Sequence, residues 1–461
     1  MTSDRQLSMG SVARRAVAGG ACALVIGYFV LLALVTRETN YTGWVVMVIV
    51  PVLVAITVPA IVSTARHYAD RSVIPLLMAA LVLKLVGGVV RYVVTIDVFS
   101  AADANSYHKA GALLASSLRD GLLVDNSRTK LIGTHFIEIV TGVFYTVIGP
   151  TQLGGFIVFS WLGFWGLYLF YRAFRVAIPD GVHLRYGLLL FFLPSLLFWP
   201  SSIGKESWML FALGLTALGV ARLYAGKHGA YPLIGLGVTA LIMVRPHVSV
   251  LVMLALFAGF LVRRGKSSDA LMRGGTKVVG IAVLLVVGTI AVANASAFLG
   301  VDSFDTDTLN QTLTSTTDRT SAAQSSFSTP NAQSPTGFPI AVVTVLFRPF
   351  PYEAGGVGGL VASVEGMFLL GLCVASWRRL ATVPRRLFRE PYVMMSLVFT
   401  LVFVFAFSNF SNFGILTRER TQVFPFFLVV LCVRARPKPE ERVRGRQAEL
   451  LVAAPAGTGG S

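Results

Sequence analysis

Long apolar runs separated by short, basic loops constrain this chain more than any other feature. The sequence has 461 residues, of which 55% are hydrophobic and only 13% are charged. Soluble domains carry about 25% charged residues, and an apolar run of about 20 residues is long enough to cross a bilayer as a helix. The pattern therefore predicts an all-α, polytopic membrane protein with about twelve transmembrane helices.

The basic loops also predict how the spans are oriented. The formal net charge is +17, and most Lys and Arg residues lie in short loops, as the positive-inside rule expects of cytoplasmic loops. This distribution predicts a multi-pass protein of the plasma membrane with both termini inside, and it points to no nucleic-acid partner. The predicted spans are 16–36, 44–64, 73–96, 152–174, 184–200, 204–224, 230–245, 247–263, 276–298, 357–377, 391–408 and 413–433.

One apolar segment, 131–149, is predicted to stay at the outer surface instead of crossing. It contains His135 and Glu138, and a crossing here would place every later basic loop on the wrong side. Residues 97–149 are therefore expected to form an outer loop with interfacial helices.

The rest of the chain fits a single domain. Residues 1–433 are expected to form one transmembrane domain, which includes an outer polar loop over 300–356. Residues 434–461 begin basic and end Ala/Gly-rich, which predicts a disordered cytoplasmic tail.

The conspicuous polar residues gather in loops and helix ends that this topology places outside. Outer arginines run against the orientation bias, so each needs a carboxylate or a phosphate as a partner. An ion pair or a lipid headgroup would satisfy each one singly, whereas together with Lys205 they predict an anion site. The candidate site residues are Asp97, Asp103, Tyr107, His108, Lys205, Glu206, Arg245, His247, Arg348, Glu353, Arg418 and Arg420.

Two of these candidates, Asp103 and Lys205, have two interpretations each. Asp103 and Tyr107 share a face at the start of a predicted surface helix. Asp103 is either a first-turn acid that stabilises the helix or a general base that faces an acceptor hydroxyl. Lys205 lies at a helix N-terminus, where a cation is unfavourable. Either its side chain snorkels to the interface, or a bound phosphate offsets the mismatch.

Further charges are expected to pair within the protein. Arg348 and Glu353 flank a Pro-rich turn that could hold an internal ion pair. Lys84 and Glu365 lie within predicted spans, where charges are costly and usually pair, so we expect a buried ion pair between them. The histidines follow no spacing typical of a metal site, and we expect no metal and no cofactor.

The outer acid followed by a tyrosine, Asp103-Ala104-Asn105-Ser106-Tyr107, resembles the first extracytoplasmic loop of C-type (GT-C) membrane glycosyltransferases. The interfacial helices expected over 109–149 share that resemblance. The outer arginines Arg245, Arg348, Arg418 and Arg420 are similar to those with which bacterial polysaccharide polymerases and ligases bind undecaprenyl-pyrophosphate-linked glycans.

The resemblance implies a GT-C-like fold and an enzyme of cell-envelope polysaccharide or glycolipid biosynthesis. Such an enzyme transfers a sugar from a polyprenyl-(pyro)phosphate-linked donor to a glycan or glycolipid acceptor, among membrane lipids, at the extracytoplasmic face. Asp103 would accept the acceptor's proton, with His247 or His108 as the reserve candidate. Lys205 and the outer arginines would neutralise the leaving phosphate. A transporter or flippase for lipid-linked oligosaccharides and a non-catalytic assembly factor are the alternatives.

Overall fold

The computed structural model describes residues 41–97, 103–121, 131–263 and 332–435, together with 286, 288, 289, 292–294, 327, 329 and 330. In this part of the chain the regular elements are helices, which confirms the predicted all-α class. The α-helices in chain order are α1 (Tyr41–His67), α2 (Val73–Asp97), α3 (Asp103–Arg119), α4 (Thr134–Ile148), α5 (Gln152–Ala177), α6 (His183–Phe192), α7 (Pro194–Phe198), α8 (Lys205–Ala225), α9 (Ala230–Ile242), α10 (Pro246–Val262), α11 (Gly337–Phe347), α12 (Gly356–Ala375), α13 (Trp377–Leu380), α14 (Val383–Leu387), α15 (Pro391–Phe407), α16 (Phe413–Glu419) and α17 (Phe424–Cys432). Short 3-10 turns are Trp199–Ser201, Pro351–Glu353 and Arg420–Gln422.

Several of these helices are long and apolar enough to cross a membrane. Five described helices meet that test singly, namely α1, α2, α5, α8 and α12, and the number is seven if each of two bent pairs is one span. The pairs are His183–Phe192 with Pro194–Ser201, bent by 59°, and Trp377–Leu387 with Pro391–Phe407, bent by 109°. These helices indicate an integral membrane protein.

The remaining predicted spans do not meet that test. Span 16–36 and most of 276–298 lie outside the described residues. α9 and α10 have 13 and 17 residues, fewer than the roughly 20 that a straight crossing needs. The region 413–433 is divided between α16, a 3-10 turn and α17. A count of about twelve crossings therefore stays a prediction.

Helix α5 marks two opposite ends of the bundle. At its start, Gln152 Nε2 donates to Asn105 Oδ1 of α3 at 2.6 Å. Near its finish, Arg175 Nη1 lies 3.1 Å from Asp70 Oδ2, in the loop between α1 and α2. Twenty-six residues of helix span about 39 Å. We call the end with Asn105 the upper end and the end with Asp70 the lower end.

Helix α4 begins and finishes at the upper end. Just before it, Gly133 N donates to Met243 O at 2.8 Å, and just after it Gly149 leads directly into the start of α5. The helix packs closely on α3, because a Cβ at Gly142 would lie 2.6 Å from Leu114 Cδ2. The chain therefore runs along the upper end over 134–148 and does not pass through to the lower end.

The predicted outer loop over 300–356 contains a helix that the sequence analysis did not expect. Residues 301–326 lie outside the described part, but Gly337–Phe347 forms α11, with Val345 and Leu346 buried. Its eleven residues are almost all apolar. An apolar run this short was overlooked because it falls well below the length of a membrane span.

Glycines allow the two central helices, α5 and α8, to approach closely. A Cβ at Gly166 of α5 would lie 2.6 Å from the backbone oxygen of Leu210, and one at Gly214 of α8 would lie 2.5 Å from the backbone oxygen of Gly166. Small residues at such crossings let helix backbones pack in direct contact, which is the main source of helix association in membranes.

Two buried charges bind the ends of the short helix α7, next to the break in the first bent pair. Glu365 accepts hydrogen bonds from Ser195 N and Ser195 Oγ, each at 2.6 Å. Lys84 Nζ donates to Leu196 O at 2.7 Å. The ion pair expected between Lys84 and Glu365 is therefore wrong. Each instead satisfies backbone groups that a broken helix leaves without partners, with the carboxylate at the N-terminus and the ammonium at the C-terminus.

Candidate functional site

Five charged residues from four separate parts of the chain meet at the upper end. Asp103 starts α3, Glu206 lies in the first turn of α8, Arg245 precedes α10, and Arg418 and Glu419 finish α16. We call these five residues the upper ion cluster. They are brought together because α3, α8, α10 and α16 each begin or end at the same end of the bundle.

Arg245 lies at the buried base of the upper ion cluster. Its Nη2 is 3.4 Å from Glu206 Oε1, and its Nη1 contacts Glu419 Oε2. Gln422 Nε2 donates to the same Glu419 oxygen at 2.6 Å. The Arg245 guanidinium is thus engaged by two carboxylates, and it ties α8 and α16 to the start of α10.

Arg418 connects this buried base to the surface. Its Nε lies 3.2 Å from Glu206 Oε1, and its Nη1 lies 3.7 Å from Asp103 Oδ2. The Glu206 side chain is 9% exposed, whereas that of Asp103 is 70% exposed. Its Nε also lies 3.8 Å from Oε1 of the buried Glu419, so Arg418 has two buried acids and one open acid as neighbours.

Lys205 lies beside the upper ion cluster and interacts electrostatically with Arg245, Glu206 and Asp103. The sequence offered either snorkelling or a bound phosphate to offset the cost of a cation at this helix N-terminus. The next residue adds a third contribution, because the Glu206 carboxylate accepts a hydrogen bond from its own backbone N–H. The protein's own Glu206 carboxylate thus occupies the first turn of α8.

Tyr107 is buried against this site. A Cβ added at Gly204 would lie 3.7 Å from its ring, and its hydroxyl is hydrogen-bonded to the Thr134 side chain. Burial, and then the negative charge of Asp103, raise the pKa of the Tyr107 phenol. The phenol therefore stays protonated and acts as a hydrogen-bond donor rather than as a base.

The two histidine candidates have different surroundings. His247, in the first turn of α10, interacts electrostatically with Arg245 and Lys205 and lies next to the upper ion cluster. His108 Nδ1 lies 2.8 Å from the Tyr145 hydroxyl, in the packing between α3 and α4. Burial, and then the charge of Lys109, lower the pKa of His108, so its ring is neutral near pH 7.

Arg348, Glu353 and Arg420 form a separate group. The internal ion pair expected between Arg348 and Glu353 is present, with Arg348 Nε 3.0 Å from both carboxylate oxygens. Arg420 is fully buried, and its Nη1 donates to Arg348 O at 2.7 Å. The Arg348 guanidinium also lies over the Phe413 ring, 5.2 Å from its centroid. These contacts hold the turn at 348–353 against the start of α16.

The remaining member of the predicted set is Asp97. Asp97 is the last residue of α2, six residues before Asp103, where α3 begins.

Three residues around the site are absent from the predicted set of candidates. Glu419 and Gln422 complete the buried base, and Arg91 of α2 interacts electrostatically with Glu206 while it lies over the Phe198 ring, 4.5 Å from the centroid. The sequence signal for Glu419 was its position between Arg418 and Arg420, since an outer arginine needs an acid.

Comparison with known proteins leaves the site to be argued from its own geometry. No protein-family model matches the chain, and no curated protein and no solved structure matches it significantly. Among the described residues there is no group of three or more His, Cys, Asp or Glu side chains that could hold a metal ion.

Proposed function

We propose that this protein is an integral membrane glycosyltransferase or glycan polymerase. It transfers a sugar from a polyprenyl-(pyro)phosphate-linked donor to a glycan or glycolipid acceptor. The proposal includes about twelve crossings, a GT-C-like arrangement and a reaction at the extracytoplasmic face of the plasma membrane. The observation that carries it is the solvent-exposed carboxylate of Asp103 beside the Arg418 guanidinium, 3.7 Å away.

The chemistry needs a general base and a cation at opposite sides of one sugar carbon, so in this proposal the contact between Asp103 and Arg418 opens as the substrate binds between them. In the proposed step the acceptor hydroxyl attacks the anomeric carbon, and its proton passes to Asp103. The bond from that carbon to the phosphate oxygen breaks, and the phosphate leaves with the electron pair. Arg418 and Lys205 neutralise the charge that grows on it. A single displacement of this kind inverts the anomeric configuration.

Arg245 and Arg348 take supporting roles in this proposal. Each already has carboxylate partners within the protein, so neither has to bind a phosphate to be satisfied. Arg245 positions Glu206, and Glu206 in turn positions Arg418 at 3.2 Å. Tyr107, as a protonated donor, suits a hydrogen bond to a substrate hydroxyl or phosphate. His247 stays the second candidate for proton transfer.

A transporter of lipid-linked oligosaccharides is the second candidate function. The observation in its favour is the bent pair with a 59° break, because discontinuous helices with charged residues at the break are typical of secondary transporters. Against it, Lys84 and Glu365 both bind the backbone of α7, which uses their charges within the protein.

The test is a transfer assay on the full-length protein, purified in detergent, with a polyprenyl-phosphate sugar donor. Asp103→Asn should abolish transfer, while Asp120→Asn, which changes an exposed acid at the other end of α3, should retain it. Both variants should unfold at the wild-type temperature. Flipping of lipid-linked oligosaccharide by proteoliposomes, with no transfer in detergent, would favour the transporter. Full activity in Asp103→Asn would remove Asp103 from the mechanism.

A further inference from the structure

A second concentration of charge lies at the lower end, where five arginines line one cavity. The cavity has a volume of about 750 Å³ and is formed where α14 turns into α15, against the loop after α5 and the residues after α17. Its charged lining residues are Arg379, Arg385, Arg386, Arg389, Arg434, Asp180 and Glu390. A cavity of this size is large enough for a small organic ligand or a lipid headgroup.

Both acids in this cavity form ion pairs with the same arginine. Arg386 Nη2 lies 2.9 Å from Asp180 Oδ2, and Arg386 Nη1 lies 2.6 Å from Glu390 Oε1. The same guanidinium donates to Arg434 O at 3.2 Å, which holds the chain after α17 across the cavity. Arg386 is therefore a structural residue that joins three parts of the wall.

The other four arginines have no acid of their own within the described part of the chain. Arg379 donates to a backbone oxygen, that of Val433, at 3.2 Å, and Arg385, Arg389 and Arg434 are exposed. Five guanidinium groups face two carboxylates, so the lining has an excess of three positive charges. This excess attracts an anion, and guanidinium groups match phosphate oxygens in geometry.

The surroundings of the cavity are those of a membrane surface. Trp377 and Phe388 are 61% and 67% exposed and lie at either end of the short helices α13 and α14. Exposed aromatics beside arginines, at the end of apolar helices, are typical of the interface between lipid and water. The corner between α14 and α15, bent by 109°, would lie at headgroup level.

We propose that this cavity is a binding site for a phosphate group, carried either by an anionic lipid headgroup or by a soluble phosphate compound. It lies at the opposite end of the bundle from the upper ion cluster and is independent of the function proposed for that cluster. Arg385 and Arg389 supply the exposed guanidinium groups, and Arg386 with Asp180 and Glu390 forms the fixed wall behind them.

The test measures binding to the full-length protein in neutral detergent. Native mass spectrometry would report binding of phosphatidylglycerol against phosphatidylcholine, and calorimetry would report binding of inorganic phosphate and pyrophosphate. The double variant Arg385→Gln/Arg389→Gln should lower the affinity for the anion at least about tenfold, since a hydrogen bond to a charged group contributes on that scale. The matched control Arg222→Gln, which changes a basic residue near the C-terminus of α8, should bind as the wild type does.

The lipid measurement and the phosphate measurement together identify the source of the phosphate group. Retention of phosphatidylglycerol alone assigns the site to a membrane lipid, and binding of inorganic phosphate or pyrophosphate assigns it to a soluble compound. Equal retention of both lipids with no phosphate binding would overturn the proposal. So would a double variant that binds the anion as tightly as the wild type at an unchanged unfolding temperature.

Discussion

Arg418 Nη1 lies 3.7 Å from Asp103 Oδ2, while its Nε lies 3.2 Å from Glu206 Oε1. One guanidinium thus joins an acid that is open to solvent with an acid that is buried. The buried partner fixes the position of the arginine, because a buried carboxylate cannot give up its cation without a large cost. The open partner can be exchanged for a phosphate at a much smaller cost.

Arg418→Gln should lower kcat/KM for sugar transfer by about 100-fold, the usual effect of removing one group that stabilises developing negative charge. Arg418→Lys should recover part of that loss, because it restores the charge without the planar fork. The assay is initial-rate kinetics in detergent, with Arg378→Gln at the lower end as the control. Wild-type kinetics for Arg418→Gln would remove this residue from the phosphate site.

Arg245→Met should destabilise the protein by up to about 3–5 kcal/mol, because it removes one of the two cations, Arg245 and Arg418, that contact both buried carboxylates. The measurement is the free energy of unfolding in a detergent titration. Replacing both acids as well, in the triple variant Glu206→Gln/Arg245→Met/Glu419→Gln, should recover much of the lost stability. A stable single variant, or a triple variant no better than the single one, would show that Arg245 does not hold this cluster together.

Glu365→Ala should cost about 1.5–3 kcal/mol for each charged hydrogen bond that it removes at the start of α7. Its effect should overlap with that of Ser195→Ala for the Oγ bond alone, since alanine keeps the backbone N–H that donates the other bond. Lys84→Met should not rescue Glu365→Ala, because the two charges bind opposite ends of the helix. If the Lys84→Met/Glu365→Ala variant were more stable than Glu365→Ala, a direct ion pair between the two charges would be indicated, and the described geometry would be contradicted.

Gly214→Ala should destabilise the bundle by about 1–3 kcal/mol, the usual cost of an overpacked contact. Its added Cβ would lie 2.5 Å from the backbone oxygen of Gly166, which cannot move without shifting α5. The matched control is Gly371→Ala on α12, where a Cβ would meet nothing within 4 Å. Thermal unfolding should separate the two variants, and equal unfolding temperatures would contradict the close packing of α5 on α8.

Helix class and the approximate position of the long helices could be predicted because a run of about 20 apolar residues has few other uses. α1, α2, α5, α8 and α12 follow such runs closely. The breaks within the two bent pairs were harder to predict, because a proline inside an apolar run marks only where a helix can bend. The 109° bend before α15 depends on tertiary packing that the sequence does not display.

Charge partners were the least predictable feature. Asp103, Glu206, Arg245 and Arg418 meet at one end because each stands at a helix terminus, which the sequence does show. Whether Arg348 joins them depends on the rotation of the turn at 348–353, and that turn directs its guanidinium to Glu353 and Phe413 instead. The basic cavity at the lower end was seen in the sequence only as a cytoplasmic loop rich in arginine.

The proposed reaction at the outer face requires Asp103 to face the outside of the cell and Arg385 to face the inside. Single-cysteine variants Asp103→Cys and Arg385→Cys, made in a background in which Cys22, Cys373 and Cys432 are replaced by serine, can be labelled in intact cells with a membrane-impermeant maleimide. The prediction is that position 103 reacts in intact cells and that position 385 reacts only after the membrane is permeabilised. Labelling of position 385 in intact cells, with position 103 protected, would contradict the orientation and with it the proposed reaction at the outer face.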